Sequence, residues 1–253
     1  MKAALGAVLL ATAAASIPGA AAGAGPGIGL SASPLRLTLE GAAAATVAVR
    51  NPSRRSLLVD VSRAGFARSL RGKARLRPAR GAATWLRLWP RRIRIAPGAR
   101  AALHVRAALP HRAEPGDHPA LVLLTTRPLG VRHVRVRVRV GVIVVLHVRG
   151  RIVHRLDARA VTVRRTGARR LLELRLVNRG NVTERLGGGR LRLMLLRHGR
   201  RLATLRSRRR ELLPHNAGIV EFTYRGHVRG KVRVRIVLRP PGRGPQRTFV
   251  VRM

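Results

Sequence analysis

Apolar and polar residues alternate with a period of two along most of the chain, and helical spacing of apolar residues is almost absent. Successive side chains of an extended strand point to opposite faces, so this alternation predicts strands with one buried and one solvated face. The runs are bounded by Gly and Pro, which is typical of short strands joined by turns. The pattern predicts stacked β-sheets and excludes a helical bundle.

The alternating pattern restarts near Gly150. About seven strand candidates lie in residues 30–148 and about seven in 151–253, and each half is close to the ~100 residues of an immunoglobulin-type sandwich. We therefore predict an all-β fold of two immunoglobulin-like β-sandwich domains in tandem, at residues 25–149 and 150–253. A single large barrel is the alternative, but it does not explain the restart.

Two stretches of the first half carry specific expectations. Residues 30–39 are the first alternating run and predict one strand, with Leu35, Leu37 and Leu39 on the same face. Residues 67–82 are basic and interrupted by Gly and Pro, which predicts a loop.

The longest alternating run is residues 131–148, which would span ~60 Å as one straight strand at ~3.3 Å per residue. We expect a bulge or bend at Gly141. One face carries Val134, Val136, Val138 and Val140, and the other carries Arg135, Arg137 and Arg139. Either these valines face the sandwich core while the arginines guard the edge, or the valines are lent to a partner protein by strand addition. Hydrogen exchange with and without a partner separates these interpretations.

The N-terminus has the features of a secretory signal peptide. Lys2 supplies a positive charge, a short apolar stretch follows, and small residues near Ala22 offer a cleavage site. We predict a signal peptide at residues 1–24, with a retained membrane anchor as the alternative. The mature protein is then secreted, periplasmic or associated with the cell wall.

The charge is extreme, with 53 Lys and Arg against 9 Asp and Glu. All but Lys2, Lys73 and Lys231 of the basic residues are arginine, which is typical of a GC-rich, bacterial genome and weakens the charge as a sign of function. An arginine-rich surface still attracts polyanions. The alternative function is therefore binding of teichoic acid, phospholipid head groups or DNA. Several of the few aromatic residues occupy core-like alternating positions, and none is evident beside the arginines, which predicts no stacking platform for bases.

The residues offer little to an enzyme. The chain has no cysteine, so disulfides, zinc–thiolate sites and thiol catalysis are excluded. The nearest approach to a metal site is the loop His111–His118, with two histidines and two carboxylates, but Pro-Gly-Asp is ordinary turn chemistry. We predict a non-enzymatic protein with no catalytic residues, no cofactor and no metal.

A series of short motifs in the first half occurs in a familiar order. These motifs are Ser33–Gly41, Asn51-Pro52, Trp85–Pro90, Ile95–Gly98 and Ala113–His118. In this order, residues 30–150 resemble the periplasmic chaperones of pilus assembly, and also related peptidoglycan- and surface-associated modules of Gram-positive cell-wall proteins. The second half resembles generic surface immunoglobulin-like domains, through Leu176–Asn181.

The chaperone resemblance implies a mode of binding. In such proteins two basic residues in the cleft between the domains anchor the client's terminal carboxylate, and the last strand of the first domain completes the client's sheet. Arg36 falls at the first basic position, while the second, expected near Ile143, is replaced by an apolar stretch. The predicted function is to bind or help assemble extracellular or cell-wall proteins through strand edges and the interdomain groove. The candidate partner-binding residues are Arg36, Val134, Val136, Val138 and Val140.

Overall fold

The structure is a computed structural model that describes residues 29–131, 134–167, 169–238 and 247–253. The first twelve strands are β1 Ser31–Ser33, β2 Arg36–Glu40, β3 Ala44–Arg50, β4 Leu57–Arg68, β5 Ala74–Arg77, β6 Leu86–Trp89, β7 Arg92–Ile95, β8 Arg100–Ala107, β9 Gly116–Thr126, β10 Leu129–Val131, β11 Val134–Val136 and β12 Arg139–Val148. The other nine are β13 Leu156–Thr166, β14 Arg169–Asn178, β15 Glu184–Arg185, β16 Leu191–Arg197, β17 Arg200–Arg206, β18 Glu211–Leu212, β19 Ala217–Tyr224, β20 Lys231–Leu238 and β21 Thr248–Arg252. A 3₁₀ turn covers Gly81–Trp85. The predicted signal peptide lies outside the described residues.

Strands β1 to β9 and β12 form a first sandwich, while β10 and β11 pair only with each other. One sheet has the order β1-β3-β8-β6, and the other has the order β2-β12-β9-β4-β5 with β7 also paired to β4. This division, with the chain's first segment shared between both sheets, is the immunoglobulin arrangement. Inward-facing residues of the two sheets, such as Leu103, Val122 and Val144, are completely buried between them.

Strands β13 to β21 form a second sandwich. Its main sheets are β13-β14-β19 and β17-β16-β20-β21, with Leu174, Leu193 and Phe222 in the core between them. No described strand after residue 150 joins a sheet of the first sandwich. The predicted fold class, two immunoglobulin-like sandwiches in tandem, is confirmed, and the single-barrel alternative is wrong. The domain limits at residues 25–149 and 150–253 stay a prediction.

The expectation of one strand over residues 30–39 is wrong. The chain crosses from one sheet to the other between β1 and β2. Leu37 and Leu39 are buried, but Leu35 lies at the crossover and is 56% exposed. Pro34 stands at this crossover and has no N–H to continue a strand ladder.

The expectation of a loop over residues 67–82 is also wrong. Strand β4 extends to Arg68, and β5 pairs with its end in the register Phe66 to Leu76. All four residues of β5 are exposed. The four residues alternate between apolar and polar, but the run is short and lies between Gly72 and Pro78, so the sequence signal of a loop prevails.

Residues 131–148 do not bend at Gly141. Strand β12 pairs with β9 in unbroken register from Arg139 to Val148, and the interruption lies earlier, between β11 and β12. A Cβ at residue 141 would lie 3.1 Å from a methyl group of Leu121. Glycine therefore serves close packing at this position.

A buried asparagine lies at the end of β3 in the first sandwich and at the end of β14 in the second. Asn51 and Asn178 are both fully buried. The Asn51 amide donates to the main-chain carbonyls of Arg55, Ile95 and Ala96, at 2.8, 3.0 and 3.1 Å. The Asn178 amide donates to the carbonyls of Val182 and Leu212, at 2.7 and 3.1 Å. Each side chain thus joins main-chain carbonyls of two separate segments and satisfies acceptors that are buried from water.

Candidate functional site

Strand β12 is paired on both sides over only part of its length. On one side β9 pairs with all of it, in antiparallel register. On the other side β2 runs parallel to it and begins with Arg36 opposite Ile143. The first residues of β12 therefore have a strand neighbour on one side only among the described residues.

The directions of the main-chain groups identify the free edge. Ile143 donates its N–H to the carbonyl of Leu35, at 2.9 Å. Main-chain groups alternate in direction along a strand, so Arg139 and Gly141 point their N–H and C=O groups to this same side. No described strand pairs with them there. We call Arg139–Val142 the free edge of β12.

The candidate valines have different surroundings. Val140 is half-buried and packs against the core of the first sandwich. Val136 and Val138 are half-buried outside that core cluster, and Val134 lies in β11, opposite Val131. Arg137 and Arg139, on the other face, are exposed. The choice between a core-facing and a partner-facing role for these valines stays a prediction.

Arg36 lies where the two sandwiches meet. Its guanidinium donates to the carboxylate of Glu211, a residue of the second sandwich. Two further arginines approach that carboxylate, Arg68 at 3.9 Å and Arg185 at 3.6 Å. Three guanidinium groups therefore surround one carboxylate.

A cavity of 640 Å³ opens beside this cluster. We call it the interdomain groove; its lining residues are Arg68, Arg185, Gly187, Gly188, Arg209, Arg210 and Glu211. The resemblance placed the second basic residue near Ile143, but the structure places Arg68 and Arg185 near the carboxylate bound by Arg36. Nothing in the sequence distinguishes these two residues from the other arginines, so sequence reasoning missed them.

An apolar contact joins the two sandwiches. Leu213 of the second sandwich is 2% exposed and packs against Ala64, Phe66 and Leu121 of the first. Those three residues lie on the outer face of the β4-β9 pair. Leu213 therefore covers apolar surface that the first sandwich does not bury in its own core.

A loop of the first sandwich reaches the second one. Arg71 donates to the carboxylates of Glu173 and Glu221, each at 2.9 Å, and the hydrogen bond with Glu173 is the largest cause that raises the pKa of Arg71. Ile219 donates its N–H to the carbonyl of Leu70 at 2.7 Å. These bonds hold the loop after β4 beside the interdomain groove.

A third contact centres on Asp117. Its carboxylate accepts the N–H of Thr183 at 2.7 Å and lies 2.8 Å from Nδ1 of His147. Its main-chain N–H donates to the carbonyl of Asn181 at 2.7 Å. Burial raises the pKa of Asp117, but the hydrogen bonds with His147 and Thr183 outweigh it and hold this pKa below its ordinary value. The ionised carboxylate therefore stabilises the junction between the sandwiches.

This shift predicts a loss of stability in acid. A carboxyl whose pKa is lower in the folded state stabilises the fold fully above its unfolded pKa of about 4, and this contribution disappears as the pH falls through the folded value. We expect the free energy of unfolding to decrease below about pH 4, and to decrease less in Asp117→Asn. Urea unfolding at a series of pH values measures both slopes. Asp60→Asn, at an exposed ion pair, is the control, and equal slopes for all three proteins would contradict the prediction.

The loop His111–His118 does not gather its polar side chains. His118 bonds through Nε2 to the carbonyl of Glu114 at 2.7 Å, while Asp117 turns to His147. The described part of the chain contains no group of three or more His, Cys, Asp or Glu side chains placed to hold a metal ion.

Among the residues that the structure describes, there is no helix of sufficient length and apolarity to cross a bilayer.

No family model and no curated protein matches this sequence. Solved structures do resemble the fold. The class 5 fimbriae chaperone CfaA has 8% identity and a TM-score of 0.49, over 88% of this chain and 98% of that chain. A structure of the Salmonella enterica SafA pilin in complex with the SafB chaperone gives 13% and 0.47, over 91% and 99%. The E. coli chaperone DraB gives 13% and 0.44, over 89% and 99%.

Proposed function

We propose that this chain is a non-enzymatic, exported protein that binds other extracellular or cell-wall proteins by adding a strand of the partner to the free edge of β12. The observation that carries the proposal is the row of main-chain groups at Arg139 and Gly141 that have no described strand partner. An unpaired strand edge is a template for another chain. Val136, Val138 and Val140 beside it offer half-buried apolar positions for the partner's side chains.

The position of Arg36 sets the direction of the added strand. Strand β2 occupies the edge of β12 from Ile143 onward and begins with Arg36. A partner strand on the free edge therefore ends where β2 begins. If its C-terminal carboxylate meets Arg36, the partner strand runs parallel to β12.

In the free protein, the carboxylate-binding position beside Arg36 is already occupied. The Glu211 carboxylate takes the place beside Arg36 that a partner's carboxylate would need. With Arg68 and Arg185 nearby, an incoming carboxylate can exchange with Glu211 and still find guanidinium donors. The interdomain groove is thus suited to a terminal carboxylate.

Blocking the free edge tests the proposal. Proline at residue 139 removes the N–H that points away from β9, and edge strands tolerate proline. We expect Arg139→Pro to weaken binding of a short peptide with valine at alternate positions at least about tenfold. Arg139→Ala removes the same charge and keeps the N–H, so it retains binding. Isothermal titration at about 0.15 M salt measures both.

The same titration tests the anchor. The peptide with a free C-terminal carboxylate should bind more tightly than its C-terminal amide, and Arg36→Ala should abolish this difference. Equal affinities for Arg139→Pro and Arg139→Ala would overturn strand addition. Loss of peptide binding in moderate salt, with DNA or teichoic acid still bound, would favour the polyanion alternative.

A further inference from the structure

The outer face of the β1-β3-β8-β6 sheet carries an exposed tryptophan. Trp89, at the end of β6, is 69% exposed and is the most exposed large apolar side chain of the described residues. The chain has only two tryptophans. Trp85, the other one, is half-buried against the core of the first sandwich. An indole left in water forgoes a large burial energy, so its exposure suggests that it contacts a ligand.

The indole of Trp89 is held in position by its neighbour across the strands. Its ring stacks on His104 of β8 with 5.8 Å between centroids and 23° between planes. The His104 Nδ1 lies 3.3 Å from the hydroxyl of Thr46 on β3. The three residues stand opposite one another in the strand register. Trp89 therefore presents the ring face opposite His104 to solvent.

Arginines lie beside this aromatic row. Arg87 and Arg106 are direct cross-strand partners one row away, and both are exposed. In the other direction the small residues Ala48 and Ala102 keep the surface flat. None of β1, β3, β6 and β8 contains Asp or Glu, and neither Arg87 nor Arg106 forms an ion pair with a described carboxylate. The face combines one open aromatic ring with unneutralised positive charge.

We infer that this face binds an acidic polysaccharide. A sugar ring would stack its C–H face on Trp89, and the acid groups of neighbouring sugars would pair with Arg87 and Arg106 through charge-assisted hydrogen bonds. Binding of this ligand is additional to the proposed function, and it takes place on a sheet that does not contain β12. The expectation of a core-like position is wrong for Trp89, because the buried face of β6 is that of Leu86, while Trp89 shares its outer face with Arg87. The expectation of no stacking platform for bases stays a prediction.

A single-stranded nucleic acid fits this face less well. Proteins that bind such strands place several aromatic side chains along a groove so that successive bases stack. Here one tryptophan and one histidine form a single stack on a flat sheet. The predicted export of the protein also favours a cell-surface polysaccharide over a nucleic acid.

Tryptophan fluorescence and affinity test the inference directly. We expect oligogalacturonate to bind the full chain at about 0.15 M salt, to change the emission of Trp89, and to bind Trp89→Ala at least about tenfold more weakly. Neutral maltooligosaccharide should bind much more weakly than oligogalacturonate. Val250→Ala, at another exposed apolar residue, and Arg233→Ala, at an exposed arginine of the second sandwich, are the matched controls and should bind as the unchanged protein does.

Three outcomes would overturn the inference. Polyphosphate that binds as tightly as oligogalacturonate, with no effect of Trp89→Ala, would show attraction by charge alone. Oligothymidylate that binds more tightly than oligogalacturonate and depends on Trp89 would identify a nucleic-acid face. Absence of oligogalacturonate binding by a correctly folded protein, checked by circular dichroism, would rule out this ligand. None of these outcomes depends on the free edge of β12.

Discussion

Replacement of Asn51 by aspartate is expected to unfold the first sandwich. The Asn51 amide is fully buried and donates to three main-chain carbonyls. In Asn51→Asp one carboxylate oxygen keeps the hydrogen bonds from Ser53, but the other faces those three acceptors. A buried charge that no counter-charge compensates costs about 3–5 kcal/mol. Asn51→Ala leaves the same carbonyls without a donor but introduces no charge, so about 1–3 kcal/mol is expected.

The two tryptophans make this loss measurable in one half of the protein. Both lie in the first sandwich, and Tyr224, the only tyrosine, lies in the second. Urea unfolding of Asn51→Asp, followed by tryptophan fluorescence, should show the transition at much lower urea than in the unchanged protein. Asn178→Asp should have the corresponding effect on the tyrosine signal.

Asn216→Asp is the matched control for both substitutions. Asn216 is half-buried, and its side chain makes no hydrogen bond with any described residue. Asn216→Asp adds the same negative charge, but its carboxylate does not replace an amide that donates to main-chain carbonyls. If Asn51→Asp and Asn216→Asp unfolded at the same urea concentration, the hydrogen bonds of Asn51 would have no structural importance.

Replacement of Leu213 should uncouple the two sandwiches. Leu213 fills an apolar pocket formed by Ala64, Phe66 and Leu121 of the first sandwich, so Leu213→Ala removes about 2–5 kcal/mol of packing. Leu213→Asp adds an unpaired carboxylate to the same pocket and should have the larger effect. Each sandwich keeps its own core, so the substitution weakens only the packing at the junction between the two sandwiches.

The same optical probes detect the uncoupling. In the unchanged protein, the tryptophan and tyrosine signals should report coincident unfolding transitions, and in Leu213→Asp they should separate. Leu202→Asp, at a residue that is 40% exposed on β17, should leave them coincident. Coincident transitions in Leu213→Asp would show that the polar contacts of Asp117 and Arg71 suffice to join the sandwiches.

This junction matters for the proposed function because the groove is assembled from both halves. Arg36 and Arg68 come from the first sandwich, and Arg185 and Glu211 from the second. A displacement of one sandwich relative to the other by a few ångströms would separate these charges. Leu213→Asp should therefore also remove the preference for a peptide carboxylate over its amide, even though the free edge of β12 remains.

Local sequence pattern determined the fold class and many of the strands. Alternation at a period of two shows which side chains share a face of a strand, and this can be determined without knowing which strands pair with it. It correctly placed Leu37 and Leu39 on the buried face of a strand. It failed at β5, a short exposed strand between Gly72 and Pro78, and at Leu35, where the chain changes sheets.

The exposed position of Trp89 could have been predicted by the same reasoning. In the segment Trp85–Trp89, residues 85, 87 and 89 share a face if the strand is regular, and Arg87 indicates that this face meets water. The exposed position of Trp89 follows once Leu86 is recognised as the inward residue. The stack with His104 does not follow, since that residue belongs to a different strand.

Sequence alone thus determined that the chain forms alternating strands in two sandwiches, and a motif resemblance placed Arg36 in the cleft. Only the tertiary structure decided that Glu211 neutralises Arg36, that Leu213 joins the halves, and that β2 begins too late to cover the first residues of β12. The physical reason is that alternation is a local property of one strand. Free edges, ion pairs and covered faces depend on which distant strands become neighbours, and in a chain with arginine on every strand no local signal distinguishes those that meet a carboxylate.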